Sequence, residues 1–585
     1  MSTTVPALVL ARQAQPDPDD RITLYWEGDD GWHGLTKGQS FDDLRDLAGA
    51  LHRLGCGPGE RLGIVSATRR EWMALDLANL CLGGVTVGVY PNLLAEQIRY
   101  QLEHAEVTVV VVEDSAQAAK IASIRDRLPL LREVVSIDPV EGLPTLTSLR
   151  EPTDVAWFTE RCDAVRPEDL ATIIYTSGTT GPPKGAMLTH ENFCEVAHAT
   201  REAVPMEPGD RSLVFLPLAH SLQRFTIYRG LMEDTTAYFP RSLERLPEAL
   251  VHARPTVLAS VPRMLEKIHD KAHATVAEKP PVARRVFDWA FRVGRARAHA
   301  VERDEPIRWT VACQWWLADR LVFRKIRARL GGAIRFIVSG GAALNPEVAR
   351  WYLAMGVLVL EGWGLTETSA PATACRPDRW RFGTVGVPLP GVRVRVAEDG
   401  ELLIQSPGTF LGYYRDDEAT AAAMSGTWFR TGDLGSIDDD GFVRITDRKK
   451  EILVTAGGKN IAPVNLEQLL ERSPLVDKAV AVGHGRKYLA ALLVPDLEVL
   501  EALATRHGWP EEPLEARLAR PEVVAGLRQA VDGANRELAR FEQIKRFTTL
   551  PVAFGVETGE LTPTLKLKRR VVEERWAPAI SALYD

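Results

Sequence analysis

Tyr175-Thr176-Ser177-Gly178-Thr179-Thr180-Gly181-Pro182-Pro183-Lys184-Gly185 is the stretch on which the reading of this chain turns. Four hydroxyl side chains stand among three glycines, with a single lysine near the end. Ala171 to Tyr175, just before it, is short, apolar and β-branched, and predicts a buried strand. After it, Ala186-Met187-Leu188 leads to Thr189, a helix N-cap for a run towards Val204. A loop rich in hydroxyls and backbone N–H groups, leaving a strand with one lysine, suits phosphate oxygens. Glycine lets the backbone approach closely, and hydroxyls donate without adding charge. The GxxxxGK[ST] spacing of the Walker A loop is absent. An ordinary Gly/Ser/Thr surface turn is the competing reading, and this density of pattern disfavours it.

Outward from the loop, apolar strands alternate with helices. Leu62 to Ser66, Val85 to Tyr90 and Val107 to Val112 read as buried strands, with helices over Arg69 to Leu82 and Gln97 to His104. The alternation resumes with strands at Ser212 to Leu216, Thr256 to Ser260, Ile334 to Ser339 and Val357 to Leu360. Such order implies βαβ units and largely parallel sheets, with ligands beyond the carboxyl ends of the strands. The loops expected there are Thr176 to Gly185, Pro217 to Arg224, Gly340 to Leu344 and Glu361 to Thr368. After Pro390 strict alternation in Val392 to Val396 and a turn at Asp438 to Gly441 predict antiparallel hairpins. The charged knot Asp447-Arg448-Lys449-Lys450-Glu451 follows, and a small α+β unit closes the chain. The fold class is therefore α/β: a large N-terminal domain, residues 1–447, of parallel-sheet subdomains plus a β-rich subdomain, then a small α+β C-terminal domain, residues 448–585.

Length excludes a single core, since 585 residues exceed what one domain buries. A net charge of -7 argues against nucleic acid as a general partner. Six scattered cysteines without a CxxC pair suggest reduced thiols rather than disulfides or zinc, and no apolar run approaches a membrane span. A soluble, cytoplasmic protein is expected. One segment departs from the rest: residues 281–330 hold 12 Lys or Arg against 5 Asp or Glu, together with Trp289, Trp309, Trp315 and Trp316. Peripheral contact with the inner, anionic face of a membrane is one reading of it. Core tryptophans beneath a solvated arginine face are the other.

Several separated motifs, taken in order, resemble the AMP-forming acyl-activating superfamily of acyl-CoA synthetases, adenylation domains and luciferases. Within it the chain is most similar to the long-chain fatty acyl-CoA synthetases. The motifs are Tyr175 to His190, LPLAHSLQR at Leu216 to Arg224, IRFIVSGGAAL at Ile334 to Leu344, GWGLTET at Gly362 to Thr368, RTGD at Arg430 to Asp433, the run Asp447 to Pro463, and LTPTLKLKRR at Leu561 to Arg570. The resemblance implies ATP-dependent formation of an acyl-adenylate from a fatty acid, followed by transfer to coenzyme A with release of AMP. It implies ATP, Mg2+ and coenzyme A as co-reactants, and leaves a carrier protein as acceptor, or an aryl or medium-chain acid, as alternatives. A non-catalytic nucleotide- or lipid-binding protein is a more distant one.

Roles implied by the resemblance follow the motifs. Thr176, Ser177, Gly178, Thr179, Thr180, Gly181 and Lys184 would hold phosphates, with Thr180 and Glu367 at the metal and Thr366 donating to phosphate. Gly341, Ala342, Glu361, Gly362, Trp363, Gly364 and Leu365 would form the adenine side. Trp363 stands where the family usually has tyrosine; it keeps a stacking face and removes a hydroxyl. Asp433 and Arg448 would meet the ribose, and His220 the substrate carboxylate. Lys566 would be the catalytic cation, preceded here by Leu565 where glycine is frequent. Lys450 would be the hinge, and Gly457, Gly458 and Lys459 a loop on the coenzyme A side.

Overall fold

A computed structural model describes residues 3–17, 20–176, 182–456, 459–562 and 566–585. Its largest sheet has seven strands, in the order Gly412–Tyr413, Lys184–Thr189, Leu170–Thr176, Val85–Val89, Arg61–Val65, Val109–Val112 and Glu133–Ser136. Leu170–Thr176 onwards the strands run parallel. Val85–Val89 and the four consecutive valines Val109–Val112 are buried along their whole length, as strands are when both sheet faces are covered. The glycine-rich loop does not lead directly into a helix. The chain first returns as Lys184–Thr189, antiparallel to Leu170–Thr176. Thr189 then caps the helix His190–Ala203: its hydroxyl accepts from the Asn192 N–H at 3.2 Å, and the Asn192 amide oxygen accepts from Thr189 N–H at 3.0 Å.

A second sheet runs Val257–Ser260, Phe336–Ser339, Leu358–Leu365, Ala370–Ala374 and Val387–Pro388, the first three parallel. Here the expected loop at Glu361 to Thr368 is corrected. Its first five residues continue the strand, because Gly362 to Leu365 find antiparallel partners in Ala370–Ala374. Gly364 permits this pairing, since a Cβ there would overlap the Ala370 carbonyl. The expected loop from Pro217 is also shorter, with the helix Ser221–Glu233 taking its second half. The β-rich part follows the alternation: Arg393–Val396 pairs with Glu401–Gln405, and Trp428–Ile437 with Val443–Arg448 across the turn at Gly441, whose φ is +82°. A further sheet joins Ile22–Glu27 and Trp32–Thr36 to Arg211–Leu213 and Thr236–Phe239.

Four hydrophobic clusters are drawn from residues 5–445 and two from residues 453–584. The last part holds Val476–Val482 and Leu489–Pro495, antiparallel, with Ile544–Thr549 parallel alongside. Arg263, in the helix Pro262–Ala277, forms an ion pair across the two parts with Asp477.

One polar group lies deep in the largest cluster. The Arg224 guanidinium, 1% exposed, donates to the Asp76 carboxylate and to the Thr172 hydroxyl, and Tyr228 OH donates to Asp76 at 2.7 Å. It ties the helix Arg70–Cys81 and the helix Ser221–Glu233 to the strand that leads into the glycine-rich loop. Removing one member leaves a buried charge unpaired. Asp76→Ala is expected to cost about 3–5 kcal/mol, read as a lower denaturant midpoint for the N-terminal part. An unchanged midpoint would remove Arg224 from the list of structural pins.

Candidate functional site

A cavity of ≈ 910 Å³ opens at the carboxyl ends of both parallel sheets, with Thr176, Ser339 and Glu361 on its wall. Residues from both parts of the chain line it: Lys184, His220, Gly341, Thr366 and Glu367 from the first, Arg448, Lys450 and Lys566 from the second. Gly362, Trp363, Gly364 and Leu365 form the wall supplied by the extended strand.

Glu367 is aimed by a constrained turn. Thr366–Thr368 is a single 3-10 turn, and the next two residues, Ser369 and Ala370, adopt φ of 57° and 89°. Non-glycine residues reach that region at a cost and keep it when their surroundings over-determine them. Thr368 Oγ donates to the Ala370 carbonyl at 3.0 Å, and Ser369 Oγ donates to the Gly408 carbonyl at 2.9 Å. Tyr413 OH then donates to Glu367 Oε1 at 2.8 Å. A carboxylate offers about four acceptor positions, so this bond leaves it able to bind further groups. Lys184 sits 5.1 Å from the Tyr413 ring centre and 3.9 Å from Asp416.

Asp433 is 3% exposed and sits behind the cavity wall. Trp363 Nε1–H donates to Asp433 Oδ2 at 2.8 Å, and Arg448 Nε lies 2.9 Å from Oδ1. The tyrosine-to-tryptophan departure thus brings its own donor: the indole N–H reaches the same carboxylate that the ribose reading invokes. The bond holds the ring face against the cavity.

Lys566 is solvent-exposed because it lines an open cleft, yet protein surrounds it on most sides. That enclosure lowers its pKa below the ordinary 10.5, and Arg448 adds to the effect; Asp433, Glu451 and Glu367 oppose it. Its backbone is fixed on both sides, Thr562 N–H donating to the Lys566 carbonyl at 2.7 Å and Lys566 N–H donating to Thr562 Oγ at 3.0 Å. Burial, then the nearby Lys566 charge, pushes His220 down to about 4. His220 is therefore neutral near pH 7. Its Nδ1 accepts from the Leu222 N–H at 3.2 Å, which assigns the remaining ring proton to Nε2.

Glu361 accepts from the Leu344 N–H at 3.1 Å through Oε2, tying down the Gly340 to Leu344 loop, while Oε1 has no protein partner among the described residues. Burial raises its carboxyl from 4.5 to about 7. A raised folded pKa means stability that is full below about 4.5 and lost as pH rises through about 7. Glu361→Gln is expected to flatten this slope by at most about 3 kcal/mol between those limits. Unfolding midpoints measured against pH for both proteins check it; parallel curves would contradict it.

The remaining expected residues fall elsewhere. Ala342 is exposed on the same loop as Gly341 without lining the cavity, and Lys459 is exposed near Phe541, away from it. Ser177, Gly178, Thr179, Thr180, Gly181, Gly457 and Gly458 lie outside the described residues. Tyr413 and the buried Glu401, which accepts from Gly432 N–H at 3.0 Å and pairs with Arg430, were not anticipated. Neither sits in a sequence motif; the two-residue strand Gly412–Tyr413 gains meaning only from pairing with Ala186 and Met187. Among the described residues no group of three or more His, Cys, Asp or Glu is placed to hold a metal ion. A lone carboxylate beside a phosphate site fits magnesium, which binds few protein ligands and keeps waters and phosphate oxygens.

Residues 10–414 match the AMP-binding enzyme family, and residues 450–585 match the AMP-binding enzyme C-terminal domain. The chain is 39% identical over 596 residues to the long-chain-fatty-acid--CoA ligase FadD15 of Mycobacterium tuberculosis (strain ATCC 25618 / H37Rv), covering 99% of this chain and 97% of that protein. It is 31% identical over 595 residues to fatty acyl-CoA synthetase A of Dictyostelium discoideum, covering 95% and 86%. In fold it is similar to the anthranilate CoA ligase AuaEII in complex with anthranoyl-AMP, with a TM-score of 0.74 at 20% identity over 99% of this chain and 98% of that one. The motifs, the cavity they line and these matches along both parts agree: the chain belongs to the AMP-binding enzyme family.

Proposed function

We propose that this protein activates a long-chain fatty acid with ATP, through an acyl-adenylate, and transfers the acyl group to coenzyme A. The observation that carries the reading is the meeting of Lys566, Arg448, Glu367 and neutral His220 around one cavity that also has an apolar side. Val204, Met206, Leu222, Phe225, Val257 and Val338 supply that side, which suits a hydrocarbon chain better than a polar acid.

The first step brings a carboxylate anion to the α-phosphate of a polyanion, so charge must be neutralised where it develops. Lys566 supplies a mobile cation from the C-terminal domain, whose start we place at residue 448. Being neutral, His220 can donate Nε2–H to the incoming carboxylate without being a competing fixed charge. Asp433 would accept the ribose hydroxyls with its remaining lone pairs while Trp363 and Arg448 hold its orientation. Thr366 would donate to phosphate, and Glu361 and Gly341 would face the adenine. When bound, magnesium adds positive charge at the phosphates; Glu367 is the residue that would hold it. In the second step the thiol of coenzyme A displaces AMP, which needs Lys566 withdrawn and the loop before Lys459 brought in by rotation about Lys450.

Pyrophosphate release against fatty, aryl and short acids, with and without coenzyme A, tests the reading. Release with long-chain acids and thioester formation with free coenzyme A are expected. Preference for an aryl acid, or thioester only with an acyl carrier protein, would replace it.

A further inference from the structure

The helix Trp309–Ala318, Trp-Thr-Val-Ala-Cys-Gln-Trp-Trp-Leu-Ala, carries no charged residue and yet turns most of its surface to solvent. Trp309 is 76% exposed and Trp316 57%, while Leu317 and Leu321 are each 44% exposed. The two tryptophans are seven residues apart, two helical turns, and so share a face. The inner face is separately anchored. Trp315 Nε1–H donates to the Ala354 carbonyl at 2.9 Å, the Arg297 guanidinium lies 4.6 Å from its ring centre, and Ala318 and Phe323 are buried in the core. The fold therefore does not need Trp309 or Trp316. Of the four tryptophans in the basic segment, Trp289 and Trp315 pack against the core and the other two do not.

Around this apolar face stands a basic rim. Between Arg308 and Lys325 four basic residues, Arg308, Arg320, Arg324 and Lys325, meet one acid, Asp319. All four are exposed, and Asp319 is engaged by Arg327 at 2.6 Å. Arg320 sits 5.0 Å from the Trp316 ring centre. Asp304 and Glu305, exposed in the turn before the helix, are the nearest acids in sequence, and Glu305 lies 4.0 Å from Arg303. A positive rim on a chain of net charge -7 marks a local surface rather than a general property.

We propose that the outer face of the helix Trp309–Ala318 seats in the interfacial layer of an anionic lipid bilayer, with Trp309, Trp316, Leu317 and Leu321 among the acyl-chain ends of the headgroups and the four basic side chains on lipid phosphates. Monomeric proteins rarely leave contiguous apolar patches in water. Exposed tryptophan ringed by arginine matches the boundary, where one end of the ring is apolar and the other wet. A second copy of this chain is disfavoured as occupant, because a two-fold contact would set the same basic rims against each other. The helix lies in the plane of the surface; none among the described residues is long and apolar enough to cross a membrane. The inference is independent of which acid the cavity activates.

The test uses the full-length protein in flotation with phosphatidylglycerol–phosphatidylcholine vesicles and with pure phosphatidylcholine, at about 0.1 M salt. Cys313, on this helix, is exposed while the other five cysteines are buried, so a fluorophore attached there reports insertion. Flotation with the anionic vesicles and a blue shift at the labelled Cys313 are expected. Trp309→Ser/Trp316→Ser should lower partitioning at least about tenfold, and Arg320→Gln/Arg324→Gln should erase the preference for anionic lipid. Thermal melting monitors folding, and Trp309→Ser alone serves if the double variant unfolds. No flotation, equal binding by wild type and the tryptophan variants, or self-association abolished by those variants without vesicle binding would each overturn the proposal.

Discussion

Lys566→Ala is expected to lose acid-dependent pyrophosphate release by about 10²–10³-fold while still converting supplied acyl-adenylate to thioester, because one preorganised charge facing a developing anion is worth a few kcal/mol. The asymmetry follows from where the lysine sits. It lines the cavity from the C-terminal side, close enough to Asp433, Glu367 and Arg448 to feel their charges. Burial, then Arg448, lowers its pKa, and the negative charge of an incoming triphosphate acts in the opposite direction. The thiol step breaks the mixed anhydride at carbon, away from the pyrophosphate, and does not use that charge. Separate assays of the two half-reactions decide the matter. Equal damage to both would mean Lys566 holds the cleft together rather than serving adenylation.

Lys450→Pro should give the complementary result: adenylate formation within about threefold of wild type, and thioester formation from supplied adenylate reduced about 10²-fold, since proline locks φ near −65°. Lys450 is exposed in the turn between the strand Val443–Arg448 and the strand Leu453–Val454, where the hydrophobic clusters change from one part of the chain to the other. Its neighbours are held: Lys449 N–H donates to the Gly432 carbonyl at 2.8 Å, and Lys449 Nζ lies 2.6 Å from Asp399. Rotation about residue 450 would break the Arg263–Asp477 ion pair, a surface contact of modest strength that does not bar the motion. Loss of both half-reactions would refute a hinge at this residue.

The sequence was legible where a local rule has a single outcome. The β-branched, apolar stretches Val85–Val89 and Val109–Val112 read as buried strands and are, Thr189 followed by Asn192 caps a helix, and alternation around Asp438 to Gly441 makes a hairpin. It was misleading where a strand depends on a distant partner. Lys184–Thr189 is a strand because Leu170–Thr176 and Gly412–Tyr413 flank it, and Gly362 to Leu365 is a strand because Ala370–Ala374 returns beside it. Glycine-rich segments read as loops until such pairing is known. The same holds within the site: Glu367, Asp433 and Trp363 could be named from their motifs, but the Tyr413 bond to Glu367 and the Trp363 bond to Asp433 could not.

What the sequence by itself determined is the set of chemical groups and their order: a hydroxyl- and glycine-rich turn, two carboxylates, a histidine, and a lysine near residue 566. These are local properties of composition and spacing. Only the tertiary structure decided that a lysine more than three hundred residues from His220 shares its cavity, and that neutral His220 faces it. It also decided that two of four tryptophans in one basic segment face water. Long-range proximity and burial are set by how sheets and helices pack, and no local pattern encodes which face of a helix finds a neighbour.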